Sequence, residues 1–146
     1  MRIYLDTCCL QRPHDNQSHP RIRVETEAIF VVLAAVEHGD AALLWSEALN
    51  YEISRIPDKM RKSEVMSVAA LSSEYLEITD EAENLAFHLE QNGIGAMDAV
   101  HLALASIAGA DFFCTSDDKL FRKAQNMENL GCGVTTILGL IPEITK

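Results

Sequence analysis

The chain has 146 residues, 48% of them hydrophobic, and a formal net charge of −10. That length supports a core without staples, so residues 1–146 are expected to form one domain. No apolar run reaches membrane-spanning length, and no basic stretch followed by an apolar one opens the chain; neither a membrane span nor a secretory leader is expected, and the cytoplasm is the expected compartment.

Arg2 to Leu5 is a short apolar run ending on Asp6, the pattern of a buried strand in a parallel sheet covered on both faces. Thr7 to Pro20 is polar, holds Pro13, Asn16, Ser18 and Pro20, and reads as a loop carrying Arg12, His14, Asp15 and His19. Ile22, Ile29, Val32, Leu33 and Val36 then recur at helical spacing, predicting a helix over about Arg21 to His38 with Gly39 as its stop. Ala41 to Trp45 predicts a second strand. Ser46 caps a helix running to about Arg55, closed by Pro57. Asp58 to Ser72 predicts a further helix and Tyr75 to Ile78 a weak strand. Thr79 or Asp80 caps a helix over Glu81 to Gln91, ended by Asn92-Gly93. Ala96 to Ala108 is helical and almost wholly apolar, so it must be buried. Asp111 to Thr115 predicts a strand, Ser116 to Met127 a helix and Gly133 to Leu138 a last strand. Strands alternating with helices imply right-handed βαβ units around a parallel sheet.

The charge is unevenly spread. Met1 to Lys62 carries eight basic residues against nine acids, whereas Ser63 to Asp118 carries eleven acids and no Lys or Arg. A polyanionic substrate would need a metal ion or the basic N-terminal half to hold it, and a basic protein partner would also satisfy the field. Cys8, Cys9, Cys114 and Cys132 form no CxxC pair, so free thiols in a reducing compartment are expected and a zinc site is not.

The chemistry is carried by acids. Asp6 falls at the carboxyl end of a strand, where parallel sheets bind ligands. Asp98 is the sole formally charged residue between Glu90 and Asp111, in the first turn of a helix apolar all round. A buried carboxylate needs pairing, hydrogen bonds or a metal, whereas a dipole acid contributes under ~1 kcal/mol. His101 lies one turn on along the same face and reads as a satisfied core residue. Asp117 and Asp118 follow the fourth strand, and Thr115 and Ser116 offer hydroxyls beside them. Glu47 and Glu52 share the helix after strand two, and pattern alone does not choose between them. Carboxylates converging on one sheet edge make an all-oxygen site, which suits Mg²⁺ or Mn²⁺ and in-line phosphoryl displacement.

Four segments resemble the motifs of the PIN-domain family, which includes the VapC-like toxins of bacterial toxin–antitoxin pairs. Ile3-Tyr4-Leu5-Asp6-Thr7 resembles the opening strand with its first acid. Ser46, with Glu52 six residues on, resembles the second motif and favours Glu52 over Glu47. Met97-Asp98-Ala99-Val100-His101-Leu102-Ala103 resembles the third, and Thr115-Ser116-Asp117-Asp118-Lys119-Leu120-Phe121 the fourth, with Asp117 as its acid and Asp118 as the alternative. Cys8-Cys9 stands where Asn, Ser or Val is more usual.

The resemblance implies a three-layer α/β/α sandwich with a parallel sheet of four to five strands. It implies a Mg²⁺- or Mn²⁺-dependent endoribonuclease in which Asp6, Glu52, Asp98 and Asp117 hold the metal and a water attacks phosphorus. Thr7, Thr115 and Ser116 would support the site, with Arg12 and His14 as substrate contacts at its mouth. A homodimer and a cognate antitoxin are the implied partners, alongside RNA. Two other readings are a PIN-like interaction module without activity and a haloacid-dehalogenase-like phosphatase; the latter requires an Asp where Cys8 stands.

Overall fold

Ile3, Tyr4 and Leu5 are wholly buried in the first strand, β1 (Arg2–Leu5), as a run apolar on both faces requires. The computed structural model describes all of residues 1–146. The other strands are β2 (Ala42–Ser46), β3 (Ser72–Leu76), β4 (Phe112–Thr115) and β5 (Gly133–Thr136). All pair in parallel, in the order β3-β2-β1-β4-β5. From β1 the chain steps outward through β2 to β3, then returns to lay β4 on the other side of β1. Right-handed crossovers taken in opposite directions send helices to both faces, giving the three-layer α/β/α sandwich.

The helices are α1 (Thr7–Gln11), α2 (Pro20–Glu37), α3 (Glu47–Ser54), α4 (Lys59–Ser67), α5 (Asp80–Gln91), α6 (Ala96–Ile107), α7 (Asp118–Gln125) and α8 (Ile137–Ile144). α2 packs against α8, and α5 pairs with α6. Gly39, at φ +82°, ends the turn after α2 in a left-handed conformation that glycine adopts without strain. One core of 34 buried residues runs through the sheet, with Trp45, Tyr4 and Phe113 its largest fully buried members.

Three segments differ from the sequence reading. Thr7–Gln11 is helical, not loop, because the Asp6 carboxylate caps it and Cys9 and Leu10 bury against the sheet. A 3₁₀ turn over Arg12–His14 follows. The helix expected to reach Ser72 stops at Ser67 and tightens into a 3₁₀ turn over Val68–Leu71, so β3 starts three residues earlier than its apolar residues indicate. The last strand stops at Thr136, whose hydroxyl accepts from the Gly139 N–H at 3.0 Å and starts α8. A side chain at Gly139 would come within 2.6 Å of Thr135 Oγ1, so glycine is needed at that approach.

Candidate functional site

β1 and β4 lie side by side where the direction of travel across the sheet reverses, and a crevice opens beyond their carboxyl ends. Asp6 directly follows β1, and Asp117 lies two residues past β4. Glu52 arrives on α3, directly after β2, and Asp98 on the first turn of α6. Four residues spread over 112 positions of chain therefore approach one sheet edge.

Asp6 is only 4% exposed. Its Oδ1 accepts from the Thr7 N–H at 2.8 Å, and its Oδ2 from the Thr115 hydroxyl at 2.9 Å and the Cys8 thiol at 3.2 Å. Burial pushes its pKa well above the usual carboxylate range; the Cys8 thiol and the Asp98 charge add to the rise, and His101 opposes it. Glu52 Oε1 accepts from the Thr7 hydroxyl and, at 2.9 Å, from His101 Nε2, while its Oε2 makes no hydrogen bond. Burial pushes the Glu52 carboxyl up, but these two donors outweigh it and leave its pKa below the ordinary value. Asp98 is half-buried, and burial followed by the charges of Asp117 and Glu52 raises its pKa. Asp98 thus feels Asp117 and Glu52, and Asp6 feels Asp98, an electrostatic chain that links the four acids.

The two aspartates after β4 part company. Asp117 caps α7, its Oδ1 accepting from the N–H groups of Lys119 and Leu120 at 3.0 and 3.1 Å. It lines an open cleft with Glu90, Gly95, Asp98, Lys119 and Lys123. Asp118 is held by both terminal nitrogens of Arg21, at 2.7 and 2.8 Å, and that bond pulls its pKa down. Of the supporting residues, Thr7 and Thr115 bond site carboxylates, whereas Ser116 uses only its main chain: its N–H meets Cys8 Sγ at 3.4 Å and its carbonyl accepts from Arg21 at 3.1 Å. Arg12 is engaged with Glu25 at 2.9 Å and Asp15 at 3.1 Å, and His14 faces Glu64 at 3.3 Å, so both tie the Arg12–His14 turn to neighbouring helices.

The donor set fits a hard divalent cation. Ligand atoms of Asp6, Glu52 and His101 lie within 4.8 Å of one another; Asp98 stands outside that trio, and its charge reaches Asp6. Both ring nitrogens of His101 are already engaged, which leaves oxygen donors as the open ones.

Four participants escape the sequence reading. Cys8 reads there as an inert thiol, but it donates to Asp6 Oδ2; contact with Cys9 and burial push its pKa up and keep the proton on sulfur. His101 reads as core, and its contact with Glu52 was signalled only by its position three residues after Asp98. Lys119 and Lys123 bring positive charge to an otherwise acidic cleft; Lys123 Nζ is bound to the Gly93 carbonyl at 2.7 Å, and Lys119 makes no ion pair. All four cysteines are free, Cys9 and Cys114 buried and the others half-buried.

A family model described as the PIN domain matches residues 3–126. Among solved structures, the chain is similar to one in VapBC2 from Rickettsia felis bound to a DNA fragment from their promoter, at 18% identity and TM-score 0.58, covering 92% of this chain and 98% of that one. It is also similar to a chain of FitAB bound to an IR36 DNA fragment, at 18% identity and TM-score 0.60, covering 92% and 94%. No curated protein sequence matches.

Proposed function

The chain belongs to the PIN domain family, and on that premise we propose that residues 1–146 act as one nuclease domain that hydrolyses RNA with Mg²⁺ or Mn²⁺. The observation that carries this reading is the meeting of Asp6 and Glu52 at the point where the sheet order reverses, their ligand atoms within 4.8 Å, with the charge of Asp98 adding to the rise that burial gives the Asp6 pKa. Asp6, Glu52 and Asp98 would hold the cation, with Asp117 beside them. When bound, such a cation lowers the pKa of water and stabilises charge on a phosphoryl group. Because the Asp6 and Asp98 pKa values are raised, loading is proton-linked and strengthens as pH rises. Thr115 and the Thr7 N–H keep the Asp6 carboxylate aimed, and the Thr7 hydroxyl does the same for Glu52. Lys119, on the rim of the cleft, is the cation best placed for a substrate phosphate.

The biological reading is a type II toxin silenced by a cognate antitoxin in the cytoplasm, the toxin itself a homodimer. Two things support it: the likeness to VapBC2 and FitAB, and the stretch from Ser63 to Asp118, whose eleven acids without a Lys or Arg suit a basic partner; no helix is long and apolar enough to cross a membrane. Incubating purified protein with mixed single-stranded RNA, with and without Mg²⁺ or Mn²⁺, tests the activity. Metal-dependent cleavage, lost in Asp6→Asn and Asp98→Asn, is the expected result. No cleavage under any metal, together with tight binding of a basic protein, would instead assign a silent interaction module.

A further inference from the structure

Behind Glu52, a line of polar atoms runs into the core. Tyr4 on β1, Ser46 at the end of β2 and His101 on α6 are each 0% exposed. The Leu49 N–H donates to Ser46 Oγ at 3.0 Å; Ser46 Oγ lies 2.7 Å from the Tyr4 hydroxyl; that hydroxyl lies 2.6 Å from His101 Nδ1; and His101 Nε2 lies 2.9 Å from Glu52 Oε1. The Tyr4 ring also stacks on Phe113 and meets the His101 ring edge to face, both with centroids 5.7 Å apart, so neither ring turns freely.

Proton accounting gives this line a direction. A carboxylate only accepts, so His101 carries a proton on Nε2. With one ring proton, Nδ1 accepts, and Tyr4 must donate to it. The Tyr4 oxygen then accepts from Ser46, whose own oxygen accepts from Leu49, and every donor and acceptor is used once. The reverse tautomer would aim a nitrogen lone pair at Glu52. A doubly protonated ring would turn the Tyr4 proton toward Ser46 and leave the buried Ser46 proton without an acceptor.

We propose that His101 and Tyr4 are positioning residues that fix the Glu52 carboxylate for cation binding, His101 by direct donation and Tyr4 by locking the His101 tautomer; this rests on the metal-dependent reading above. Asp6 is aimed by three donors of its own. Glu52, a longer side chain partly in solvent, is aimed by the Thr7 hydroxyl and, from within the core, by His101. Its Oε1 is pinned and its Oε2 stays free, so less side-chain freedom remains to be lost when a cation binds.

The test uses the full chain and two readouts besides activity: the ¹⁵N signals of the His101 ring in metal-free protein, which report the tautomer, and Mn²⁺ affinity by electron paramagnetic resonance. The unsubstituted protein should show a single Nε2–H tautomer. Mn²⁺ affinity should fall about 10- to 100-fold in His101→Leu, the range typical of residues that orient a metal ligand, with His101→Gln, which keeps a donor near Glu52, closer to the original. Tyr4→Phe removes one oxygen and keeps the ring packing; it should lower affinity severalfold and mix the tautomers, and it decides the matter if His101→Leu does not fold. An Nδ1–H tautomer, or unchanged Mn²⁺ affinity in Tyr4→Phe and His101→Leu, overturns the positioning role alone. If the unsubstituted protein binds no Mn²⁺, the metal-dependent reading fails and takes the positioning role with it.

Discussion

Thr115→Val isolates the polar support of the site from its packing. Thr115 is the last residue of β4 and has no exposed surface. Its hydroxyl donates to Asp6 Oδ2 at 2.9 Å, and its oxygen accepts from the Asp117 N–H at 3.1 Å. Valine fills the same shape, so no cavity opens and the loss is chiefly these two hydrogen bonds, with a weak third contact to Cys8 Sγ at 3.4 Å. A bond to a charged group contributes about 1.5–3 kcal/mol and a neutral one about 0.5–1.5. Together they set a loss of roughly 2–4.5 kcal/mol, which in a domain of this size lowers the Tm by roughly 5–15 °C. Thr115→Ser keeps both bonds and sheds one methyl, for about 1 kcal/mol. Thermal unfolding followed by circular dichroism at neutral pH, with chelator present, should rank the original above Ser and Ser above Val. If Val melts with or above Ser, the hydroxyl is not what holds Asp6, and the reasoning fails.

Metal-free, the folded chain keeps the Asp6 proton to a higher pH than the unfolded chain, where an aspartate titrates near about 3.9. Its contribution to stability is therefore complete below that value and is lost as pH rises through the elevated folded value; Asp98 acts with the same sign. Asp6→Asn should flatten the fall of urea stability as pH rises above about 3.9, and an unaltered slope would count against a buried, repelled carboxylate. Asparagine caps helices as well as aspartate, so Asp117→Asn should keep the Tm while RNA cleavage drops. Asp118→Asn breaks only an exposed pair with Arg21 and should keep both; equal activity loss in the two variants would contradict the division of roles. Lys119→Glu should weaken single-stranded RNA binding and reduce the slope of log affinity against log salt by about 0.7, the loss of one phosphate contact. A slope unchanged in a salt titration removes Lys119 from the substrate path.

Much of the site is readable from local pattern because two of its acids break that pattern. Asp6 ends a buried strand and Asp98 interrupts an apolar helix, and neither position favours a charge without a purpose. Glu52 is different. Pattern leaves it level with Glu47, and the choice is made by contacts distant in sequence: Glu47 accepts from the Ile78 N–H at 2.8 Å and anchors the approach to α5, whereas Glu52 meets His101. The Tyr4–Ser46–His101 line is invisible to any local reading, since each member looks like a core aromatic, a helix cap or a buried histidine within its own element. The missed helices have the same cause. α1 is too short for a period to show and forms because Asp6 caps it, and α8 contains Gly139 and Pro142, which pattern reads as breakers. β3 lies on the sheet edge, so its polar residues hide its start.

The central claim is that Asp6, Glu52 and Asp98 share one divalent cation. Diffraction from a crystal soaked in Mn²⁺, with data collected to reveal anomalous scattering, tests it directly. The account predicts an anomalous peak bounded by those three carboxylates and absent from an Asp6→Asn crystal; a peak confined to other surface acids, or none at the end of β1, would contradict it.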